Sequence, residues 1–189
     1  MGEPATAGTG VTLDAAAKLG EHRSMRRIGL VVAMSLALAA CATNRGAGLA
    51  PVAIPDPRPV AGLDWILDAE EDSAELVYGA PMSDDYRLGV ECRGGGDPKL
   101  GLTRYAPRGT KAEIVLSAGG VTQSYAALSE PEPMSGGVML TSRLAEKSDP
   151  VIRAFRETGF LAVIDGDRAT VLAPQPGTTA VADFFTWCG

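Results

Sequence analysis

The sequence predicts a mainly β (α+β) domain, an antiparallel sandwich or barrel of about nine short strands with two short C-terminal helices. Short apolar runs, one of them with a clear alternation of apolar and polar residues, fill most of the chain after residue 62. Glycine-containing turn sequences separate these runs, and two segments near the C-terminus carry helical spacing instead. A chain of 189 residues with 46% hydrophobic content is long enough for one domain with a core, but short for two.

The clearest strand prediction is the segment YRLGVEC, in which every second residue from Tyr86 to Cys92 is apolar. A period of two is expected when one face of a strand is buried, so Cys92 is predicted to point into the core. The remaining candidate strands cover residues 63–68, 74–79, 99–106, 111–118, 121–128 and 137–145, together with the two arms of a hairpin within 160–173.

Two tight turns are predicted within this pattern. Gly119 and Gly120 lie between two apolar runs, and paired glycines suit a hairpin turn that requires positive φ. Asp165-Gly166 is predicted to form the turn of the hairpin FLAVIDGDRATVLA. The segment SEPEP, residues 129–133, is predicted to be a loop.

Two helices are predicted close to the C-terminus. SDPVIRAFRETG has Asp149 as a candidate N-cap, Pro150 at the first helical position and Gly159 just past the end. In TTAVADFFTWCG, one face at helical spacing is apolar. That face comprises Val181, Phe184, Phe185 and Cys188. If this face packs on the sheet, Cys188 enters the same core as Cys92.

The N-terminal part of the chain has the layout of an export signal. Met25-Arg26-Arg27 provides a positive start, and the apolar or small residues Ile28 to Ala40 form a run of 13. A bilayer-spanning helix needs about 20 apolar residues, so this run is short for a membrane span. The segment LAAC, which ends at Cys41, resembles the lipobox of bacterial lipoproteins.

This resemblance implies cleavage just before Cys41 and lipidation of that cysteine. Residues 1–40 are then an N-terminal extension and a lipoprotein signal peptide. Residues 1–24 have no place in a signal of this kind, and translation is predicted to begin at Met25. The alternative is an ordinary signal cut after an alanine, which would leave Cys41 as a thiol.

A tether is predicted to follow the lipidated cysteine. Residues 41–62 contain four prolines and several alanines and glycines, but no aromatic residue. An extended chain of about 20 residues at ~3.1 Å each would hold the domain up to ~60 Å from the membrane. An irregular arm packed on the domain is the alternative. All aromatic residues lie from Trp65 onward, which predicts a single globular periplasmic domain over residues 63–189.

Three cysteines in an exported protein leave one unpaired, and Cys41 is the natural odd one. Cys92 and Cys188 are therefore predicted to form a disulfide. On the chain-entropy model, a ring of nearly a hundred residues contributes about 4 to 5 kcal/mol. The alternatives are two buried free thiols or a pair of metal ligands.

Charge and histidine content exclude several classes of function. The net charge of −6 argues against nucleic-acid binding, which needs a basic surface. The only histidine, His22, lies in the part that signal processing removes. A mature chain without histidine cannot use a Ser-His-Asp or Cys-His mechanism, and it lacks the commonest metal ligand. No metal site and no cofactor are predicted.

Two segments resemble ligand sites only superficially. The acidic segment DAEEDSAE, residues 68–75, could bind calcium or a protein, but it lacks the alternating Asp/Asn positions and the glycine of a calcium loop. A solvated turn between strands is the preferred interpretation. Gly94-Gly95-Gly96 follows a strand, yet no P-loop lysine comes after it, and Asp97-Pro98 favours a turn.

No catalytic residue is predicted, because the chain contains no G-x-S-x-G and no serine with a lysine three residues later. A pair of carboxylates drawn from distant parts of the chain stays open. One surface feature is retained as a possible binding surface. Met134 and Met139 flank two glycines in MSGGVM, and flexible methionines are used at adaptable binding surfaces.

These observations predict a lipid-anchored cell-envelope protein whose domain is a non-enzymatic binding or structural module with an envelope protein as partner. The lipid at Cys41 makes the membrane a second partner. Two alternatives stay open, a carboxylate-dependent envelope hydrolase and a periplasmic inhibitor of a hydrolase. In a source with an outer membrane, Ala42 after the lipidated cysteine resembles lipoproteins sorted to that membrane, where the domain would face the periplasm.

Overall fold

The structure is a computed structural model that describes residues 52–83, 86–94 and 96–189. The signal peptide, the lipidation site Cys41 and the first half of the tether lie outside the described residues, so these predictions stay predictions. The described elements, in chain order, are β1 (Asp64–Ala69), β2 (Ser73–Gly79), β3 (Tyr86–Arg93), β4 (Lys99–Ala106), β5 (Glu113–Ala118), β6 (Val121–Ala126), β7 (Leu128–Glu132), β8 (Gly137–Glu146), α1 (Pro150–Thr158), β9 (Leu161–Asp165), β10 (Arg168–Leu172) and α2 (Ala180–Cys188).

The strands form two antiparallel sheets, which confirms the mainly β prediction and favours the sandwich over the barrel. The larger sheet has the order β1-β2-β3-β4-β8-β7, and the smaller sheet has the order β10-β9-β5-β6. Trp65 and Tyr78 on the larger sheet donate hydrogen bonds from their rings to the carbonyls of Leu172 (3.3 Å) and Ala173 (3.2 Å), at the end of β10. These bonds join the two sheets.

The inward-facing residues of the strands and the apolar faces of the two helices form one shared core. On β2, Leu76 and Tyr78 are buried. Glu75, which lies between the acidic turn and Leu76, points to solvent. Helix α1 packs on β5 and β6, and α2 packs on β1 and β2. The ring of Phe155 in α1 lies 5.0 Å from Trp65 and 5.7 Å from Phe185 in α2, centroid to centroid. The predicted apolar face of α2 is buried as expected.

The predicted disulfide is present between Cys92 on β3 and Cys188 on α2. Their Cα atoms lie 6.0 Å apart, and both side chains are buried. The bridge ties the last helix to the middle of the larger sheet. The disulfide rules out the two alternatives, which were free thiols and a pair of metal ligands.

The prediction of a loop at SEPEP is wrong, because most of this segment belongs to β7. Its five residues pair with β8 in the register Leu128↔Thr141 to Glu132↔Gly137. The strand is at the edge of the sheet, where Pro131 can be accommodated because one side of the strand needs no partner. Residues 52–83, 86–94 and 96–189 therefore contain ten strands, where about nine were predicted.

Asp149 marks the start of α1, but its side chain does not cap the helix as predicted. Its carboxylate accepts hydrogen bonds from the Tyr125 hydroxyl (2.8 Å) and from the Glu146 backbone N–H (2.9 Å). Burial acts to raise the pKa of Asp149, but these hydrogen bonds outweigh it and hold the pKa below its ordinary value. The other boundary signals hold, with Pro150 at the first position and Gly159 in the left-handed region at the end.

Both predicted hairpin turns are present. Gly119 and Gly120 join β5 to β6 with φ of +55° and +78°. In the second hairpin, Asp165 is still paired with Arg168, so the two turn residues are Gly166 and Asp167 rather than Asp165 and Gly166.

The end of the predicted tether is fixed to the domain. Residues 53–60 are exposed and have neither strand nor helix. The Val60 carbonyl accepts hydrogen bonds from the Gln175 side chain (2.7 Å) and the Leu63 backbone (3.0 Å), so the chain is held just before β1. Within the described ranges, no helix is long and apolar enough to cross a membrane.

Candidate functional site

Four connections meet at one end of the sandwich, which we name the loop end. On the larger sheet, Gly79 lies opposite Tyr86 and Ala106 lies opposite Val138, so the β2–β3, β4–β5 and β7–β8 connections share this end. The β9–β10 turn of the smaller sheet joins them, because Asp165 contacts Arg104 on β4. The opposite end carries the β1–β2 and β5–β6 turns.

Met134, one of the two predicted binding residues, lies at the tip of the β7–β8 turn with 95% of its surface exposed. The turn below it is held by Glu132, whose carboxylate accepts the backbone N–H groups of Met134 (2.9 Å) and Ser135. The hydrogen bonds from Ser135 and Met134 lower the pKa of Glu132. The turn is thus pinned by hydrogen bonds, and it presents an apolar side chain to solvent.

Met139, the other predicted binding residue, is half-buried on β8, five residues further along the chain. In the sheet it lies opposite Glu130 on β7 and Tyr105 on β4. The ring of Tyr105 contacts Tyr86 on β3, with 5.1 Å between centroids. The two methionines therefore belong to the same hairpin but to different surfaces, Met134 to the turn and Met139 to the outer face of the sheet.

Sequence reasoning missed a second methionine at the loop end. Met82 lies in the β2–β3 connection, is fully exposed and has a φ of +59°, which is rare for a residue with a side chain. Both exposed methionines follow a proline and precede a serine, in Pro81-Met82-Ser83 and Pro133-Met134-Ser135. The repeated tripeptide in two turn sequences was the available signal.

A cleft opens between the two sheets at the loop end. Its inner part is a cavity of about 230 Å³ lined by Arg87, Arg104 and Asp165 together with apolar residues of the smaller sheet. A second cavity of about 540 Å³ adjoins it and shares Pro107, Asp165 and Thr170. The cleft is therefore lined by both sheets and by the β4–β5 and β9–β10 connections.

Arg104 is the buried charge of this cleft. Only 5% of its side chain is exposed, and its Nη2 donates to the Asp165 carboxylate at 2.7 Å. The Nε atom is buried and has no hydrogen-bond partner among the described residues. Sequence reasoning missed this residue, although strand parity contained the signal. In KLGLTRYA, Arg104 has the same parity as the buried Leu100 and Leu102, so it had to point inward.

The acidic segment forms a turn and part of a row across three strands at the opposite end of the sheet. Asp68 lies opposite Glu75, and Glu75 lies opposite Glu91. Burial raises the pKa of Glu75, and the charges of Glu91 and Asp68 raise it further. Glu91 is different, because Arg143 contacts it at 2.9 Å and Arg93 at 3.6 Å.

The glycine segment after β3, where the sequence predicts a turn, contains one. No group of three or more His, Cys, Asp or Glu within the described ranges is placed to hold a metal ion. In the glycine segment, of which Gly95 lies outside the described residues, the Asp97 carboxylate accepts the Lys99 N–H at 2.9 Å. This bond closes the predicted turn after β3.

Comparison of the chain with protein-family models, with curated proteins and with solved structures finds no match. The candidate sites therefore depend on the geometry of this chain alone. Two are at the loop end, the exposed methionine turn and the Arg104 cleft, and the third is the acidic row at the other end.

Proposed function

We propose that this protein is a lipid-anchored, non-enzymatic binding module of the cell envelope, and that it meets its partner through the loop end. The observation that carries the proposal is Met134, an apolar side chain at the tip of a turn that Glu132 pins. Complete burial of a methionine side chain contributes roughly 1.5 to 3 kcal/mol. Met134 stays exposed in the folded protein, so folding does not provide this stabilisation. Burial of Met134 in an apolar pocket of a partner would provide it.

The pinned turn makes Met134 better suited to docking than a methionine on a mobile loop. Ordering a mobile loop on binding costs conformational free energy. A turn that its own hydrogen bonds already hold in place does not incur this cost when the partner binds. Met82 is a second apolar side chain at this end of the domain, fully exposed in the β2–β3 connection.

The tether direction favours a partner near the membrane. Strand β1 begins at Asp64, which lies opposite Gly79, so the chain enters the domain at the loop end. If Cys41 carries the lipid, the loop end is the part of the domain that follows the tether directly. A partner embedded in the same membrane, or attached to it, is the class of partner that this arrangement favours.

The experiment compares recovery of cross-linked partner from solubilised membranes for the tagged wild type and three variants. Met134→Asp is expected to reduce recovery at least tenfold, since a charged side chain cannot enter an apolar pocket. Met134→Leu keeps the apolar surface and should retain the partner. Leu144→Asp is the matched control, because Leu144 is also exposed but lies on β8 away from the loop end.

A further arm uses Cys41→Ser, which removes the predicted lipidation site and should release the protein from the membrane fraction. Undiminished recovery of the partner with Met134→Asp would contradict the docking surface. Retention of the Cys41→Ser variant in the membrane would contradict the anchor. The two parts of the proposal thus fail separately.

A carboxylate-dependent hydrolase is the second candidate, and the acidic row is the observation that favours it. Glu75 and Glu91 face each other across strands, and they line a cavity of about 240 Å³. The raised pKa of Glu75 beside the arginine-paired Glu91 resembles the division between a general acid and an ionised partner. Release of new reducing ends from purified envelope glycan, lost in Glu75→Gln, would favour this function over binding.

A further inference from the structure

We infer that the cleft at the loop end is a binding site for a small organic carboxylate, held by the guanidinium of Arg104. This inference goes beyond the docking role of Met134, because it assigns a small-molecule site and a ligand class to a separate group of residues. Failure of one leaves the other untouched, since Met134 lies on a turn outside the cleft.

The first observation is a buried cation with unused hydrogen-bonding capacity. The guanidinium has five N–H donors, of which the Nη2 donates to Asp165 and the buried Nε has no acceptor in the described part of the chain. A buried donor without an acceptor is costly, and a buried charge more so. Asp165 compensates only in part, because 42% of its side chain is exposed to water. The site therefore has a guanidinium donor that its own residues do not satisfy.

The second observation is a cavity that gives access to this cation. Arg104 lines the inner cavity of about 230 Å³, and Arg87 from β3 lines it as well. Arg87 is exposed and forms no ion pair with any described residue. Among the described lining residues, two guanidinium groups against the carboxylate of Asp165 give a net positive charge, in a protein whose net charge is −6. An anion is the ligand that this charge balance favours.

The lining identifies the class of anion. Val163 and Leu172 contribute apolar walls, and Tyr105 also borders the cavity. A guanidinium fork pairs with a planar carboxylate through two parallel hydrogen bonds. Inorganic phosphate would gain nothing from apolar walls, whereas the carbon chain of an organic acid would bury apolar surface against them. A carboxylate followed by a short apolar chain fits both features.

The length of the ligand follows from the volumes. Ligand pockets for drug-sized molecules range from about 300 to 1,000 Å³, so the inner cavity of about 230 Å³ suits a smaller molecule. A longer ligand can extend past Asp165 and Thr170 into the adjoining cavity, which Arg168 and the ion pair of Lys111 with Glu113 border. Pentanoate, with one carboxylate and four further carbons, is a suitable probe for the inner site.

The test is an NMR titration of the isotope-labelled protein with sodium pentanoate. Saturable shifts are expected for the amides of Val163, Asp165 and Thr170. Arg104→Met should weaken binding at least tenfold, and Arg87→Gln should weaken it as well. Arg87 is exposed, so its substitution tests the site without disturbing the core. Arg153→Met is the control, because Arg153 is an exposed arginine on α1, away from the cleft.

Three results would overturn the inference. The first is the absence of saturable shifts at cleft amides with pentanoate. The second is binding that Arg104→Met and Arg87→Gln leave unchanged in folded protein. The third is tighter binding of sodium phosphate than of pentanoate at the same amides, which would reject the organic carboxylate. Pentanamide, which has the same chain without the charge, should cause no saturable shift.

Discussion

At the scale of single residues, Glu75 has an electrostatic cost that its neighbours create. It lies between Asp68 and Glu91 in one row, and like charges directly opposite each other destabilise an antiparallel pair. Two arginines compensate Glu91, but in the described part of the chain none contacts Glu75. Burial and these two charges raise its pKa.

Glu75→Gln is therefore expected to stabilise the protein at pH 7 by about 0.5 kcal/mol. Because folding raises the pKa of Glu75, the native state loses stability relative to the unfolded state as the pH rises from the ordinary carboxyl pKa through the raised one. The advantage of glutamine should accordingly disappear below the ordinary carboxyl pKa of 4.5, where both states are protonated. Urea unfolding at pH 7 and pH 3.5 measures the difference.

Glu130→Gln is the control for this prediction, since it removes the same charge from the edge strand β7, away from the row. Equal stabilisation by both variants would mean that net charge, not the row, causes the effect. Destabilisation by Glu75→Gln at pH 7 would contradict the account.

Residue-scale features were the least predictable from the sequence. The ion pair between Arg104 and Asp165 joins residues 61 positions apart on different sheets, so neither sequence segment contains its partner. The position of Arg104 along β4 could predict that its side chain points inward. It could not predict the cleft in which the side chain lies. For Asp149, the sequence correctly predicted the start of α1, but the predicted role of the side chain as a helix cap was wrong. Its carboxylate binds the Glu146 backbone, three residues earlier, and the Tyr125 hydroxyl, which only the packing of α1 on β6 brings close.

At the scale of elements, the β5–β6 turn couples a hairpin to a helix. Both of its glycines have positive φ, but their surroundings differ. A Cβ added at Gly119 would lie 2.8 Å from the Cβ of Ala154 on α1, whereas a Cβ at Gly120 would meet open space. The pair separates the cost of the backbone conformation from the cost of packing.

Gly119→Ala is expected to destabilise the protein by about 2 to 4 kcal/mol, through a strained backbone and overpacking against α1. Gly120→Ala has only the backbone term, about 1 to 2 kcal/mol. Urea unfolding of the oxidised protein gives both values. Equal losses for the two variants would contradict the close approach of the turn to α1.

Most elements were predictable because local patterns specify them. Period-two alternation predicted β3, apolar runs separated by turn residues predicted most of the other strands, and boundary residues predicted α1. Strand β7 was missed, since LSEPE has neither alternation nor β-branched residues, and Pro131 argues against a strand. Pairing with β8 creates this strand, and pairing depends on tertiary structure rather than local sequence.

At the scale of the whole molecule, cysteine parity predicted a long-range contact that no local pattern contains. The disulfide joins residues 96 positions apart and brings α2 onto the larger sheet. The choice between sandwich and barrel was not predictable, because the same strands can close or remain as two sheets. The order of strands in each sheet, with β8 between β4 and β7, likewise depends on pairing across the chain.

The position of the loop end also emerges only from the complete fold. Connections that are far apart in the sequence, at Met82, Met134 and Asp165, meet there because the antiparallel register aligns their strands. The docking surface and the Arg104 cleft are both built from these connections. The proposed function is therefore a property of this end of the sandwich, and a test by position is the most direct one.

The decisive measurement is site-specific photo-cross-linking in intact cells, with a photoreactive amino acid at one position at a time. Met134 and Met82 are the positions at the loop end, and Glu71, exposed in the β1–β2 turn, is the position at the opposite end. The account predicts an adduct of one defined mass from Met134 and Met82, and none from Glu71. An adduct from Glu71 alone, or no adduct from Met134, would contradict it.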